Sequence, residues 1–256
     1  MVTIKTQEEI KKLKEGGKIL ATILDDLIKN VKAGVSTKDL EKLAVLKIKQ
    51  AKAIPSFLNY RNNKEETPFP TALCSSINSE IVHAPSVPGR ILKNGDLIGL
   101  DLGIIYQGLY TDMARTVGVG KITPQAKKLI KVTKKCLELA QDQVKPGNHI
   151  SDISRVVQEY AQKNNFGVVR SLVGHGVGYK VHESPRIPNY IEKNQEIIEI
   201  KEGMVLAIEP MLTVGSHLLV TADDDWTQMT KDGSLTAHFE NTVVVTKTGY
   251  ETITKK

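Results

Sequence analysis

The sequence predicts a protein of the α/β class, of the α+β type, in which two related halves place helices outside a shared sheet. The first observation is an internal repeat, because VKAGVSTKDL at 31–40 matches VKPGNHISDI at 144–153. In a second pair, GDLIGLD at 95–101 matches GMVLAIE at 203–209, with a carboxylate six residues after a glycine in each. Each half also begins with helical patterns and continues with strand-like ones.

A third pair extends the repeat, since VHAP at 82–85 loosely matches VHESP at 181–185. Such a duplication suits a pseudo-twofold domain, and its period is too long for a solenoid. Neither half contains a linker-like stretch. We therefore predict a single domain over residues 1–256, with halves of about 6–120 and 121–256.

Four segments carry the apolar spacing of amphipathic helices. The first begins at a capping box formed by Thr6 and Glu9 and extends to about Val31. The third begins at Thr123, where Pro124 occupies the first helical position. The predicted helices span about 6–31, 36–53, 123–144 and 151–163.

Strand-like segments follow each pair of helices. The predicted strands lie near 72–77, 81–83, 96–105, 109–117, 168–173, 204–208, 218–221 and 239–246.

The composition indicates a soluble globular protein, with 40% hydrophobic and 25% charged residues among 256. The sequence lacks an apolar run of membrane-spanning length and the apolar core of a signal peptide. Two cysteines do not form a disulfide framework, which indicates a reducing, cytoplasmic compartment. The net charge of +6 favours solvated helix faces, because the lysines are spread over several of them. Weak attraction to an anionic assembly is the alternative.

Two aspartates lie in strand-like runs on either side of a turn, in GDLIGLDLGIIYQGLYTDMART at 95–116. If Tyr106 and Gln107 form a two-residue hairpin loop, Asp101 and Asp112 face each other, with Cβ atoms roughly 4.5–5.5 Å apart. Buried like charges at this distance need a shared proton or a cation between them. The alternative is that one aspartate ends its strand in solvent and the pair never meets.

Three further residues extend this pair to a metal-ligand set. Glu209 is the repeat counterpart of Asp101, and Pro210 after it favours an extended backbone. Glu240 leads into the apolar strand of HFENTVVV, and His175 lies in the glycine-rich GHGVG. Each acid alone has the alternative of a solvated strand end, and GHGVG that of a nucleotide-binding loop. Two divalent ions sharing bridging carboxylates suit the set Asp101, Asp112, His175, Glu209 and Glu240.

The remaining histidines carry weaker signals. His83 and His182 follow valines in loops that precede prolines, and by themselves they fit ordinary surface or core positions. His238 lies two residues before the last acid of the set and hence on the same strand face, so it is a candidate neighbour of the site. We interpret His149 and His217 as structural.

Taken together, these motifs resemble the type I methionine aminopeptidases over nearly the whole chain, from about Thr6 to Ile253. The resemblance is carried by NSEIVH at 78–83, DMART after the two aspartates, GHGVG, VHESP, IEP at 208–210 and FENT at 239–242. It implies the pita-bread fold, in which two pseudo-symmetric halves place helices outside a curved, largely antiparallel sheet.

The resemblance implies an aminopeptidase that removes the initiator methionine from nascent proteins through a hydroxide bridging two metal ions. It implies that one ion is held by Asp101, Asp112 and Glu240, and the other by Asp112, His175, Glu209 and Glu240. Divalent Co, Mn, Fe or Zn are the expected ions. Glu209 is then the proton shuttle for the bridging hydroxide, while His83 and His182 contact the substrate amide and stabilise the tetrahedral intermediate.

By the resemblance, the methionine pocket is formed by Phe57, Tyr60, Cys74, His83, His182 and Trp226. The aromatic and cysteine positions have an alternative as core residues, which fits Trp226 least because DDDWTQ is polar. Three departures from the family pattern stand out: the loop Arg61–Thr67 is long, Tyr179 replaces an arginine, and Val181 replaces an aromatic residue. We predict that the long loop covers the pocket mouth as a mobile flap.

The resemblance further implies that the partners are the N-termini of nascent polypeptides, with possible proximity to the ribosome and without a membrane or a specific nucleic acid. It also implies a cytoplasmic monomer. A metal-free binding module on the same fold is the alternative from another functional class. The five intact ligand positions count against that alternative.

Overall fold

The computed structural model describes residues 2–61, 63, 65, 67–193 and 196–256. The helices are α1 (Gln7–Lys29), α2 (Thr37–Gln50), α3 (Pro124–Asp142) and α4 (Ile150–Lys163). The strands are β1 (Ile54–Pro55), β2 (Leu73–Ile77), β3 (Glu80–Val82), β4 (Leu97–Tyr106), β5 (Leu109–Gly118), β6 (Gly167–Val168), β7 (Gly174–Gly176), β8 (Glu183–Ile187), β9 (Val205–Ile208), β10 (Met211–Thr213), β11 (Leu219–Thr221), β12 (Gln228–Thr230), β13 (Thr236–His238), β14 (Asn241–Val245) and β15 (Tyr250–Thr252). Within the described residues, none of the helices combines the length and apolarity needed to cross a membrane.

Helix α1 begins with the predicted capping box. The Glu9 N–H donates to Thr6 Oγ1 at 3.3 Å, and the Thr6 N–H donates to Glu9 Oε2 at 2.8 Å. Further along the helix, a Cβ added at Gly17 would lie 2.4 Å from the Ile253 carbonyl oxygen. Because Gly17 has no side chain, α1 packs directly on the C-terminal segment of the protein at Ile253. Helix α1 therefore contacts both halves.

The hairpin of β4 and β5 has a loop one residue later than predicted. Tyr106 pairs with Leu109, so the two loop residues are Gln107 and Gly108. Their φ angles are 50° and 81°, and positive φ at both loop positions is the signature of a type I′ turn. A glycine adopts that conformation without steric cost, which favours Gly108 within the loop over Tyr106.

This shift changes how the two aspartates meet. Asp101 pairs with Ala114, and Asp112 pairs with Gly103. The prediction that the aspartates lie directly opposite each other was therefore wrong. They are diagonal neighbours two residues apart in register, and because side chains alternate with a period of two, both still project from the same face of the sheet.

The two halves share the same bridge at the start of their second helix. Ser36, the N-cap of α2, forms an isolated antiparallel bridge with Ile91, and His149, the N-cap of α4, forms one with Glu199. Corresponding backbone hydrogen bonds flank the two bridges. These features support the sequence repeat, and we propose one duplicated domain with halves of about 6–120 and 121–256.

The sheets of the two halves join along β5. Ala114 and Glu240 exchange backbone hydrogen bonds, with N···O distances of 3.4 and 2.9 Å. Beside this pair, Thr242 Oγ1 accepts from the Asp112 N–H at 2.9 Å and donates to the Asp112 carbonyl at 2.8 Å. The seam therefore fixes an aspartate of the first half beside a glutamate of the second.

Glu209 and Glu240 lie where the chain passes between two sheets. β9 and β14 belong to a five-stranded sheet of order β15-β14-β9-β7-β8, whereas β10 and β13 belong to a three-stranded sheet of order β13-β10-β6. In the five-stranded sheet, pairing of β9 with β14 ends at Ile208 and Asn241. The strand predicted over 239–246 therefore begins only at Asn241, and Glu240 lies between β13 and β14 as Glu209 lies between β9 and β10.

The N-terminal segment forms a buried ion pair with the start of β8. Lys5 Nζ lies 2.7 Å from Glu183 Oε2, and the two side chains are 1% and 6% exposed. The same ammonium lies 4.7 Å from the ring centroid of Tyr179, and Glu183 Oε1 accepts from the Lys180 N–H at 3.0 Å. Tyr179, one of the departures from the family pattern, thus packs against a buried cation.

We expect Lys5→Met to lower the free energy of unfolding by about 3 kcal/mol, because it leaves the Glu183 carboxylate buried without its cation. Adding Glu183→Gln removes that charge and should recover most of the loss. Lys12→Met is the matched control, since Lys12 and Glu8 form an ion pair whose side chains are 35% and 77% exposed. Loss of such an exposed ion pair should change the free energy of unfolding very little. Urea denaturation measures all three, and equal effects at Lys5 and Lys12 would contradict the prediction.

Candidate metal centre

One cavity of about 500 Å³ lies at the gap between the sheets. Its walls include every residue that sequence reasoning assigned to the site: Phe57, Tyr60, Cys74, His83, Asp101, Asp112, His175, His182, Glu209, Trp226 and Glu240. Sequence reasoning did not assign Phe69, Val82, Val181 and Gln228 to the site, and these also line the cavity. The structure thus brings residues from both halves of the chain together around one space.

The two aspartates are buried beside each other on β4 and β5. Burial, together with the negative charge of Asp112, raises the pKa of Asp101 well above its ordinary value of 3.8. Burial also raises the pKa of Asp112, against a hydrogen bond from the Met113 N–H at 2.9 Å that favours its charged form. The pair therefore holds a proton unless a cation compensates its charge.

His175 is oriented by its own strand. Its Nδ1 lies 2.9 Å from the Gly176 carbonyl oxygen, which can only accept, so Nδ1 carries the proton. The Nε2 atom is then a free lone pair, and it lies 3.5 Å from Glu209 Oε1. A backbone carbonyl that fixes the tautomer is the usual arrangement behind a metal-bound imidazole.

The two glutamates complete a concentration of buried negative charge. Burial raises the pKa of Glu209 and of Glu240 well above the ordinary 4.5, and the neighbouring carboxylates add to the effect. Arg115 opposes it at Glu240, where its Nη1 donates to the Glu240 carbonyl at 2.5 Å. One arginine does not balance four carboxylates, so the site favours a bound cation of higher charge.

The donor set fits a divalent metal ion. Asp112, His175 and Glu240 each offer a ligand atom, and these atoms lie within 4.8 Å of one another. Among the described residues, the buried oxygens Asp101 Oδ1 and Glu240 Oε1 have no hydrogen-bond partner. Unpartnered buried carboxylate oxygens are costly, and a divalent cation removes that cost by accepting them as ligands.

His182 lies at the edge of this cluster and opens into the cavity. Its Nδ1 is 2.8 Å from the Tyr60 hydroxyl, and its ring stands perpendicular to that of His175 with centroids 4.5 Å apart. Desolvation by the surrounding walls lowers its pKa, which favours the neutral imidazole. Tyr60, predicted for the methionine pocket, therefore also determines the orientation of His182.

His83 has a strained backbone beside the same cavity. Its φ angle is 59°, in the left-handed region that non-glycine residues rarely adopt. Burial, and secondarily the neighbouring His182, lowers its pKa to about 4. Strain of this kind persists at functional sites because the surrounding structure enforces a particular side-chain direction.

An apolar wall lies next to the charged cluster. The rings of Phe69 and Trp226 meet edge to face with centroids 5.3 Å apart, and Phe57 lines the same cavity. Burial raises the pKa of Cys74 well above 9.0, so its thiol stays neutral and contributes to the apolar surface. The sequence did contain a signal that Phe69 could line the pocket. It follows the charged loop directly and is flanked by two prolines, so it belongs to no helical or strand pattern that would explain an aromatic residue there.

Three positions of the long loop after Tyr60, namely 62, 64 and 66, lie outside the residues that the structure describes. Of its remaining residues, Glu65 and Thr67 line the cavity. Their position supports the idea that the loop borders the pocket mouth, and the mobile flap stays a prediction.

Comparison with known proteins agrees with this geometry. Residues 11–247 match the model of metallopeptidase family M24. Methionine aminopeptidase of Clostridium acetobutylicum is 43% identical over 254 residues, which cover 99% of each chain. Methionine aminopeptidase 1 of Bacillus subtilis is 42% identical over 256 residues and 100% of both chains.

The fold leads to the same family. The crystal structure of methionine aminopeptidase from Thermotoga maritima superposes with a TM-score of 0.94 at 39% identity, covering 100% of both chains. A prolidase from Pyrococcus horikoshii shares the fold alone, with a TM-score of 0.74, 21% identity and coverage of 63% of its length. The predicted pita-bread fold and the resemblance to type I methionine aminopeptidases are confirmed, and the chain belongs to metallopeptidase family M24.

Proposed function

We infer that this chain is a metal-dependent aminopeptidase that removes N-terminal methionine from polypeptides. The observation that carries this conclusion is the single cavity in which an oxygen-rich metal cluster adjoins an apolar wall of side-chain size. Catalytic metal and apolar selectivity pocket are the two parts that such an exopeptidase needs. The named relatives, which act on methionine by their names, point to the same reaction.

We propose that the cluster holds two divalent ions, such as Co, Mn, Fe or Zn. One ion would be held by Asp101, Asp112 and Glu240, and the other by Asp112, His175, Glu209 and Glu240. Four carboxylates exceed the needs of one ion and suit two that share bridging oxygens. When bound, the ions would supply a nucleophile from water at neutral pH and would polarise the scissile carbonyl.

The side chains around the ions carry the proton transfers. Glu209 lies at the gap between the sheets with its carboxylate 11% exposed, which suits a group that accepts a proton from the attacking water and passes it to the leaving amine. Its raised pKa, caused by burial and by the neighbouring aspartates, favours proton acceptance. Bound metal ions would lower that pKa, because their positive charge favours the ionised carboxylate.

The two histidines act on the peptide itself. If the Tyr60 hydroxyl donates to His182 Nδ1, the imidazole proton resides on Nε2, which is then a donor toward the cavity. His83, held by its strained backbone, lines the same cavity. We propose that both donate hydrogen bonds to the substrate amide as negative charge develops on it.

The apolar wall selects the side chain of the first residue. Phe57, Phe69 and Trp226 offer aromatic surface, on which a thioether packs favourably. The neutral thiol of Cys74 lies opposite Asp101 in the β2–β4 pairing, at the boundary between the metal cluster and the apolar wall. An unbranched, flexible methionine side chain suits a pocket that ends beside metal-bound carboxylates.

We further propose that the substrates are the N-termini of nascent or newly made polypeptides, met by a monomeric protein in the cytoplasm and near the ribosome. Such substrates present a free amine and an extended chain, both of which a cavity open to solvent admits.

The direct test is methionine release from Met-Gly- and Met-Leu-starting peptides with added Mn, Fe or Co salts. We expect free methionine from the Met-Gly peptide, less from the Met-Leu peptide, and none after treatment with a chelator. Absence of release with every metal would overturn the enzyme reading and favour a binding module on the same fold.

We expect His83→Ala to lower kcat for Met-Gly peptides by about a hundred- to thousandfold while both ions remain bound, because loss of one donor to a developing oxyanion costs about 2.7–4 kcal/mol. His217→Ala is the matched control, since His217 does not line the cavity. His175→Ala should lose metal instead. Metal analysis and kcat are measured together, and metal loss at His83 with retention at His175 would mean that their roles are exchanged.

The loop Arg61–Thr67 gives a prediction about substrate access. If it covers the pocket mouth, shortening it should raise KM for peptides several-fold while Tm changes by only a few degrees, because exposed loops contribute little to the core. A large fall in Tm with unchanged kinetics would instead indicate that the loop is part of the packed structure.

A further inference from the structure

His238 is a buried imidazole behind the metal cluster. It is 3% exposed, and it is absent from the walls of the cavity that Glu209 lines. Its Nε2 lies 3.4 Å from Glu209 Oε2, whereas the other oxygen of that carboxylate, Oε1, faces His175 at 3.5 Å. The Glu209 carboxylate is therefore flanked by an imidazole on each side, one at the cavity and one behind it.

The backbone of His238 is held on two sides. Thr116 Oγ1 accepts from the His238 N–H at 2.9 Å and donates to the His238 carbonyl at 2.9 Å. On the opposite edge, His238 pairs with Met211 in the β10–β13 ladder. Because Met211 follows Glu209 by two residues, the same short stretch of sheet determines the positions of both side chains.

The ring nitrogen that points at Glu209 lacks a hydrogen bond. Among the described residues, His238 Nε2 has no partner that meets hydrogen-bond geometry, although it is fully buried. A buried donor without an acceptor is destabilising, because it has lost its hydrogen bonds to water without replacement. A separation of 3.4 Å to a carboxylate oxygen is slightly longer than a normal hydrogen bond, and such contacts at catalytic sites tighten when the site is loaded.

Direct coordination by His238 is disfavoured by its position. All five proposed ligands line the cavity, whereas His238 does not. Among these ligands, His238 approaches Glu209, with Nε2 3.4 Å from Glu209 Oε2. Groups that contact a ligand residue from behind orient it, and removing them usually weakens metal binding or activity by about 10–100-fold.

We propose that His238 is a positioning residue, whose Nε2–H donates to Glu209 Oε2 and fixes the carboxylate with Oε1 toward His175 and the metal cluster. This inference rests on the proposed function, because it assigns a partner to the group that transfers the proton. With Oε2 held by the imidazole, Oε1 is the oxygen that remains for metal binding and for proton transfer from the attacking water. The hydrogen bond to Oε2 also prevents rotation of the carboxylate.

The test compares two amides of different length. In His238→Gln the side-chain N–H₂ reaches roughly the position of Nε2, whereas in His238→Asn it falls short, although both residues are polar and small enough for the site. We expect His238→Asn to weaken Mn binding and to lower kcat by about 10–100-fold each, with KM changed by less. We expect His238→Gln to restore most of both losses.

Calorimetric titration with Mn gives the affinity independently of activity, and Tm in the presence of chelator reports folding. His217→Asn is the control for loss of an imidazole elsewhere. Wild-type Mn affinity and kcat in His238→Asn, or equal losses in both variants, would overturn the proposal. Failure of the proposed function is distinguishable, because the unaltered protein would then bind Mn without releasing methionine.

Discussion

Asp112→Asn is expected to lose both metal ions and to lower kcat for Met-Gly peptides by at least about a thousandfold. Asp112 belongs to the tight group of ligand atoms with His175 and Glu240, and it is the aspartate proposed to bridge the two ions. The amide removes one negative charge and one ligand oxygen from a position that both ions would share. Metal ions contribute several kcal/mol of transition-state stabilisation, and about 1.4 kcal/mol corresponds to a tenfold rate.

The measurement is metal content per chain after desalting, together with kcat at saturating Mn. Asp39→Asn is the matched control, because Asp39 lies on the exposed side of α2 with its side chain 61% exposed. Unchanged metal stoichiometry in Asp112→Asn would show that Asp112 does not bridge the ions. Loss of one ion with the other retained would equally contradict the bridge.

Chelated protein is expected to lose stability as the pH rises above about 6.5. In the folded protein burial raises the pKa of Asp112 to about 7, and burial raises the pKa of Asp101, Glu209 and Glu240 well above their ordinary values. In the unfolded chain these groups have lost their protons by pH 6.5. The folded state then holds more protons than the unfolded state, so the free energy of unfolding falls by about 1.4 kcal/mol per pH unit for each proton retained.

Below that pH the buried histidines act in the opposite direction. Burial lowers the pKa of His175 and of His238 to about 3, lowers that of His83 to about 4, and also lowers that of His182. Between about pH 3 and the unfolded value near 6.5, the unfolded chain therefore binds protons that the folded protein does not. In this range the histidines make the free energy of unfolding rise with pH, which offsets the fall caused by the carboxylates. The net decline therefore becomes visible only above about pH 6.5.

Saturating Mn should abolish the decline, because the metal takes the place of the retained protons and its affinity grows as the ligands deprotonate. Urea denaturation at pH 6.5, 7.5 and 8.5, with chelator and with Mn, measures both arms. Chelated protein as stable at pH 8.5 as at pH 6.5 would show that the carboxylates are ionised without metal.

Local patterns in the sequence were sufficient for the helices. The capping box at Thr6 and the proline at Pro124 mark helix starts that the structure has within one residue. Such signals work because a helix start is satisfied by side chains three residues apart, so the information lies within one turn. Helix ends were less accurate: α2 ends at Gln50, whereas the sequence predicted about Ala53, because terminal turns depend on what packs beyond them.

The pairing of β4 with β5 was predicted less accurately. The sequence correctly placed Asp101 and Asp112 on one face, since a shift of two residues preserves side-chain direction. It gave the wrong pairing because two adjacent dipeptides, Tyr106-Gln107 and Gln107-Gly108, both lie at the centre of the hairpin. A type I′ turn requires positive φ at both loop positions, which Gly108 adopts without steric cost, so the sequence did contain a local signal for the correct loop.

The sequence by itself determined the family and suggested the five candidate metal ligands, because carboxylate and imidazole residues at five positions in a fixed order, within a repeated framework, carry that information without knowledge of distances. Only the tertiary structure decided how Glu209 and Glu240 come to line one cavity, and that Tyr60 contacts His182 and His238 contacts Glu209. These contacts join residues separated by 29 to 122 positions. The contact between His238 and Glu209 depends on the passage of β9–β10 and β13–β14 between two sheets, and no local residue pattern encodes such a passage.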